Sequence, residues 1–131
     1  MKMNTAGISG ECSMDVNKAF YNDNVILYKH TITYAPTQSS FYKHGHNEYE
    51  ILYFIRGNAD YLIEDNIFTL NPGDLMLIKP KNYHMLMLKS SMPYERVNIA
   101  FKESIFDKAA LDTLFSSSGK ISLNNSSFFM H

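Results

Sequence analysis

His44-Gly45-His46-Asn47-Glu48-Tyr49-Glu50-Ile51-Leu52-Tyr53-Phe54-Ile55-Arg56-Gly57 is the stretch on which the reading of this 131-residue chain turns. An extended backbone sends alternate side chains to opposite faces, so His44 and His46 share a face and Glu50 keeps their parity. The first half therefore offers two imidazoles and a carboxylate to one side of a strand. The second half, Glu50–Ile55, is a near-continuous apolar run closed by Gly57, as expected of a buried strand.

Short β-type runs separated by turn residues continue on both sides. Upstream, Val25–Tyr28 and Thr31–Tyr34 are rich in β-branched and aromatic residues and stop at Pro36. Downstream, Ala59–Ile63 and Ile67–Leu70 flank Glu64-Asp65-Asn66, a short polar turn that suits a hairpin. Asn71-Pro72-Gly73-Asp74 has the chemistry of a type II turn, with proline presetting one central dihedral and glycine accepting the positive φ of the other. Leu75–Ile78, Met85–Leu88 and Arg96–Phe101 supply further strands, with a turn around Pro80 between the first two. In Arg96–Phe101, Val97, Ile99 and Phe101 alternate with Asn98 and Ala100. So many short strands at such spacing predict an all-β sandwich or barrel.

The good helical pattern comes late. Ile105, Phe106, Ala109 and Ala110, continued by Leu111, Leu114 and Phe115, predict a helix over 104–115 that Ser104 caps. That stripe has three candidate roles: transmitting a signal, forming a dimer face, or packing against the barrel. The expected organisation is an N-terminal arm (1–24), a barrel (25–103), and a C-terminal helix and tail (104–131). The tail is serine- and asparagine-rich yet ends on Phe128-Phe129-Met130, from which a longer parent protein is expected.

With 45% hydrophobic and 14% aromatic residues, the chain is rich enough in apolar side chains to bury a core. Its 12 basic and 13 acidic residues give a net charge of -1, which leaves no basic excess to neutralise phosphates. Direct nucleic-acid binding by this segment is disfavoured. Cys12 is alone, so no internal disulfide is possible, in keeping with a reducing cytoplasm. Met1–Asn17 lacks the apolar core of a signal peptide, and Ile51–Ile55 and Leu75–Ile78 are too short to cross a bilayer. The expectation is a cytoplasmic protein with no membrane contact.

A metal needs more than His44, His46 and Glu50, and His84, beyond the Gly73 turn, is the candidate fourth ligand. Such an imidazole–carboxylate set suits Zn, Ni, Mn or Fe alike. The competing reading is a solvated strand face, and Glu48, which shares the parity of His44, His46 and Glu50, is equally read as a solvent-facing residue of the barrel rim. Tyr42, Phe54 and Tyr61 are either platforms for a ligand ring or ordinary core aromatics.

His44, His46, Glu50 and Gly57 fall at the spacing of the first cupin motif, and the run from Gly73 to His84 resembles the second. Gln38 stands where the first motif usually opens with glycine. In the second, proline is displaced to Pro80, while Lys81 and Leu88 replace the usual glycine and asparagine. Tyr49-Glu50-Ile51-Leu52-Tyr53, Pro72 through Pro80, His84, and Pro93-Tyr94-Glu95-Arg96 are together similar to the effector-binding domain of AraC-type bacterial transcription regulators. The resemblance covers about residues 25–115.

It implies a cupin-type double-stranded β-helix, or jelly-roll barrel, with a C-terminal helix. A sugar-like molecule or other metabolite would bind inside, among His44, His46, Glu50, His84, Tyr42, Phe54 and Tyr61. The metal set would be His44, His46, Glu50 and His84, occupied or merely retained. DNA would be reached only through two helix-turn-helix units in a C-terminal domain outside this sequence, and the regulator would be a homodimer rather than an enzyme. Two alternatives stand beside this reading: a free-standing metal-dependent cupin enzyme of isomerase or dioxygenase type, and a sugar-binding module without chemistry.

Overall fold

Each apolar run ends where a particular residue turns the chain, and the strands are correspondingly short. The computed structural model describes residues 14–122. Its strands are β1 (Asp15–Asn22), β2 (Ile26–Thr33), β3 (Tyr49–Arg56), β4 (Ala59–Ile63) and β5 (Asn66–Thr69). They continue with β6 (Asp74–Ile78), β7 (His84–Leu88) and β8 (Tyr94–Phe101); helix α1 (Lys108–Leu114) and β9 (Gly119–Ser122) follow. At the Asn71–Asp74 turn, Gly73 takes φ +95° and Asp74 N donates to Asn71 O at 2.9 Å, as the sequence predicts. The β4–β5 hairpin closes around Glu64 and Asp65, with Glu64 at φ +52°.

The strands form two antiparallel sheets. One has six strands in the order β9-β6-β3-β8-β2-β1, and the other has three in the order β5-β4-β7. Strand β3 pairs with β6 and β8 instead of its chain neighbour β4, so the chain crosses repeatedly between sheets. Between the sheets lies a core of Leu52, Phe54, Ala59, Tyr61, Ile63, Leu70, Met76, Ile78, Leu86 and Tyr94. Each large side chain so buried contributes about 1.5–3 kcal/mol. A second cluster, Tyr49, Leu77, Phe101, Leu111 and Phe115, joins α1 to the other face of the six-stranded sheet. This is the all-β barrel with a C-terminal helix that the sequence predicts.

Four details differ from the expectation. Residues 15–22, within the expected arm, form edge strand β1 paired to β2, and its uniformly exposed side chains carry no apolar period to announce it. The two runs upstream of Pro36 merge into one strand, Ile26–Thr33. Helix α1 begins later than predicted because Asp107, not Ser104, caps it, its carboxylate accepting from Ala110 N at 3.2 Å. Ser104 lies in a separate 3-10 turn, Glu103–Ile105. Finally, Gly119–Ser122 in the expected tail pairs with β6 as β9. Residues 1–13, with Cys12, and 123–131, with the Phe128-Phe129-Met130 end, lie outside the described residues.

Candidate ligand and metal site

A single antiparallel bridge joins the two motif regions. His44 N donates to His84 O at 3.1 Å and His84 N donates to His44 O at 2.9 Å. Lys81 N donates to His46 O at 2.6 Å and clips the same segment to the β6–β7 turn. The imidazoles of His44 and His84 are thereby stacked edge-on with centroids 4.2 Å apart, and those of His46 and His84 lie 5.2 Å apart. One ligand atom from each of His44, His46 and His84 falls within 4.8 Å of the others.

Backbone carbonyls fix the tautomers. His44 Nδ1 faces Tyr42 O at 2.9 Å and His84 Nδ1 faces Asn82 O at 3.1 Å. A carbonyl only accepts, so each Nδ1 carries a proton, and Nε2 is the ring nitrogen that a metal would take once it is deprotonated. His84 is fully buried, yet among the described residues its Nε2 makes no hydrogen bond, and neither does the buried Nδ1 of His46. An unsatisfied buried polar atom costs about 1–3 kcal/mol. A cation between these rings would relieve that cost, so the residues present fit a divalent metal.

Glu50 is beside this group. Its Oε1 accepts from His46 Nε2 at 2.8 Å and lies 3.4 Å from His84 Nε2, while Oε2 accepts from Asn98 Nδ2 at 3.0 Å. Burial alone would raise its pKa; the hydrogen bond from His46 and the proximity of His84 outweigh that and hold it down to about 2. The same bond raises His46 above its ordinary value, against the effect of burial. The expectation that all three groups share one strand needs correction. The chain bends at 47–48 and β3 starts only at Tyr49, so Glu50 approaches from β3 and the two histidines from a separate extended segment. Glu48 is half-buried at the rim, 3.6 Å from His46 Nδ1.

His44, His46 and Glu50 open onto a cavity of ≈ 470 Å³, within the range of about 300–1,000 Å³ usual for small-molecule sites, whereas His84, fully buried, is outside its lining. His44, His46, Glu50, Tyr42 and Tyr61 line it, Tyr42 from a strongly exposed position. Phe54 does not line it and is corrected to a core residue: it is 0% exposed and its ring lies 6.1 Å from that of Tyr94. It has the parity of Glu50 but lies two pleat repeats farther along β3, in the core.

Sequence reasoning missed the wall supplied by β8. Tyr94, Arg96 and Asn98 project into the cavity, and Lys29 of β2 joins them. The signal was the polar phase of the alternation in β8, which is easily taken for a solvent face once Val97, Ile99 and Phe101 are read as the core. Burial pushes the hydroxyls of Tyr61 and Tyr94 far above their ordinary value, so both stay protonated as neutral donors. Among the described residues no helix is long and apolar enough to cross a membrane.

A family model described as "AraC-like ligand binding domain" matches residues 30–129. No curated protein matches the chain. Solved structures similar to it include a cupin superfamily protein from Desulfitobacterium hafniense, 10% identical over 69% of this chain and 79% of that one, with a TM-score of 0.57. Another is a cupin 2 conserved barrel domain protein from Salinispora arenicola, 16% identical, covering 76% and 83%, TM-score 0.53. A protein from Photorhabdus luminescens is 21% identical, covering 79% and 82%, TM-score 0.53. At such identities the likeness speaks for the fold, a cupin jelly roll with a C-terminal helix.

Proposed function

The chain belongs to the AraC-like ligand-binding domain family, and on that premise we propose that it is the effector-sensing domain of an AraC-type transcription regulator. The observation that carries the reading is the cavity of ≈ 470 Å³ between the two sheets, lined by a few polar and charged groups together with apolar Leu27, Leu52 and Leu86. An effector seated there touches strands of both sheets, which gives it the leverage to alter how the barrel presents α1 and its arm. DNA contact is assigned to a C-terminal region outside this sequence, because a net charge of -1 does not neutralise phosphates. A cytoplasmic homodimer is the corresponding whole-protein reading.

A divalent ion, Zn, Ni, Mn or Fe, would be held by His44, His46 and His84 with Glu50 alongside. Such an ion supplies a Lewis acid to which an oxygen of the effector can bind. The chain's own contribution is to hold each imidazole through its carbonyl bond and to exclude water behind His84.

The same histidine cluster favours a second reading, a metal-dependent enzyme of isomerase or dioxygenase type. Thermal-shift screening of the purified chain with sugars, organic acids and divalent metals tests the first reading. A small molecule that stabilises the barrel and is recovered unchanged supports sensing; one consumed by metal-loaded protein supports the enzyme. Elemental analysis with His84→Ala as control tests the ion, and equally low metal in both proteins rejects it.

A further inference from the structure

Arg96 is the feature of the cavity that neither the histidine cluster nor the core accounts for. It is 9% exposed, and a buried charge is costly unless it is paired. Among the described residues no carboxylate forms an ion pair with it. Both of its hydrogen bonds there come from Nη1, to Thr33 Oγ1 at 2.6 Å and to Tyr94 O at 3.4 Å. The guanidinium lies over the Tyr94 ring at 4.4 Å and near the Phe41 ring at 5.7 Å. These contacts fix its plane and, among the described residues, give Nε and Nη2 no hydrogen-bond acceptor. A planar donor edge held in this way matches a carboxylate's two oxygens.

The surroundings sort by charge. Lys29 also lines the cavity without an ion pair among the described residues, and it faces Asn98 in the β2–β8 register, one pleat from Arg96. The two acidic lining residues, Glu48 and Glu50, lie at the histidine end, and Glu50 is already engaged by His46 and Asn98. Glu50 is in register with Ala100 and Phe54 with Arg96. Four residues of strand separate them, about 13 Å of backbone. Thr33, which accepts from Arg96, is in register with Tyr94, so the guanidinium leans away from Glu50. The cavity is cationic at one end, and Leu27, Leu52 and Leu86 supply apolar lining.

We propose that the ligand of this barrel is a small organic acid whose carboxylate seats on Arg96 with help from Lys29, its body lying against Leu27, Leu52 and Leu86. The assignment deepens the sensing reading and rests on it for the ligand's role. Hexanoate and phenylacetate, each paired with its neutral amide, are the probes, titrated calorimetrically into the purified chain.

Wild type is expected to bind each acid about tenfold more tightly than its amide, the scale of a charge-assisted contact. Arg96→Gln should bring acid and amide within about twofold, and Arg96→Lys should recover part of the gap, since charge returns without the planar fork. Lys29, half-buried and outside the core, provides a variant that does not threaten folding, and Lys29→Gln should narrow the gap severalfold. Equal affinity for acid and amide, no binding of either acid, or an acid preference untouched by the substitutions overturns the proposal. The sensing reading fails differently. Neutral sugars binding with no preference for acids sink the anion seat and leave sensing intact; Arg96-dependent binding of an acid that metal-loaded protein then consumes keeps the seat and sinks sensing.

Discussion

His84 combines total burial with an unbonded ring nitrogen, and that pairing sets a sharp test at the residue scale. Leucine there keeps the volume and removes the orphaned acceptor. It also removes the bond to Asn82 O and the neighbour of buried Glu50, so His84→Leu should lower metal-free stability by about 1–3 kcal/mol. It should also abolish the rise in urea midpoint that zinc gives wild type. A zinc-induced rise that survives the substitution removes His84 from the site. Phe54 makes the opposite case. Its ring fills the core and misses the cavity, so Phe54→Ala should cost about 3–5 kcal/mol in unfolding while leaving the affinity of the folded protein for a bound ligand nearly unchanged. The contrast marks how far single residues could be read from sequence. His44, His46 and His84 announced themselves by type and spacing. Parity alone cannot say how deep along a strand a side chain sits, so Phe54 was placed in the site and Arg96 overlooked.

Among elements, β1 is ordered although its side chains are exposed throughout. Backbone pairing to β2 holds it, reinforced by Thr33 Oγ1 donating to Asp15 at 2.7 Å and Thr31 Oγ1 donating to Asn17 at 2.9 Å. Such polar stitching leaves no periodic trace, which is why the strand was illegible while the apolar β3 and β6 were plain. Glu95 of β8 ties the neighbouring strands together. It meets His30 of β2 at 2.6 Å, Arg56 of β3 at 3.4 Å and Lys18 of β1 at 3.5 Å. The hydrogen bond with His30 leads in lowering its pKa below the ordinary 4.5, with Lys18 adding to it against burial. A carboxylate depressed on folding stabilises the native state above its unfolded pKa, and that stability disappears as pH falls through the folded value. Glu95→Gln should therefore lower the urea midpoint at pH 7 and flatten its decline below about pH 4.5. Midpoint curves that superimpose from pH 7 to pH 3 would show the four-strand tie to be idle.

For the molecule as a whole, the two sheets meet at the site. Glu50 comes from β3 in the six-stranded sheet, His84 opens β7 in the three-stranded one, and the His44–His84 bridge spans the segments between them. The barrel class was legible because short runs and turn residues recur so densely, and the two histidine motifs presuppose convergence of distant strands. How those strands are ordered was not legible, since β3 lies between β6 and β8 through long-range pairing that no local pattern encodes. A ligand binding only the folded state stabilises it by about 2.7 kcal/mol at a hundred times its Kd. Because an ion here would grip both sheets, that stabilisation should appear on both. In hydrogen exchange, zinc added to chelator-treated protein should slow the amides of β3 and β7 together and leave the distant edge strand β1 unchanged. Protection confined to residues 41–48 would mean that the ion rests on a surface loop and the histidines do not couple the two halves of the barrel.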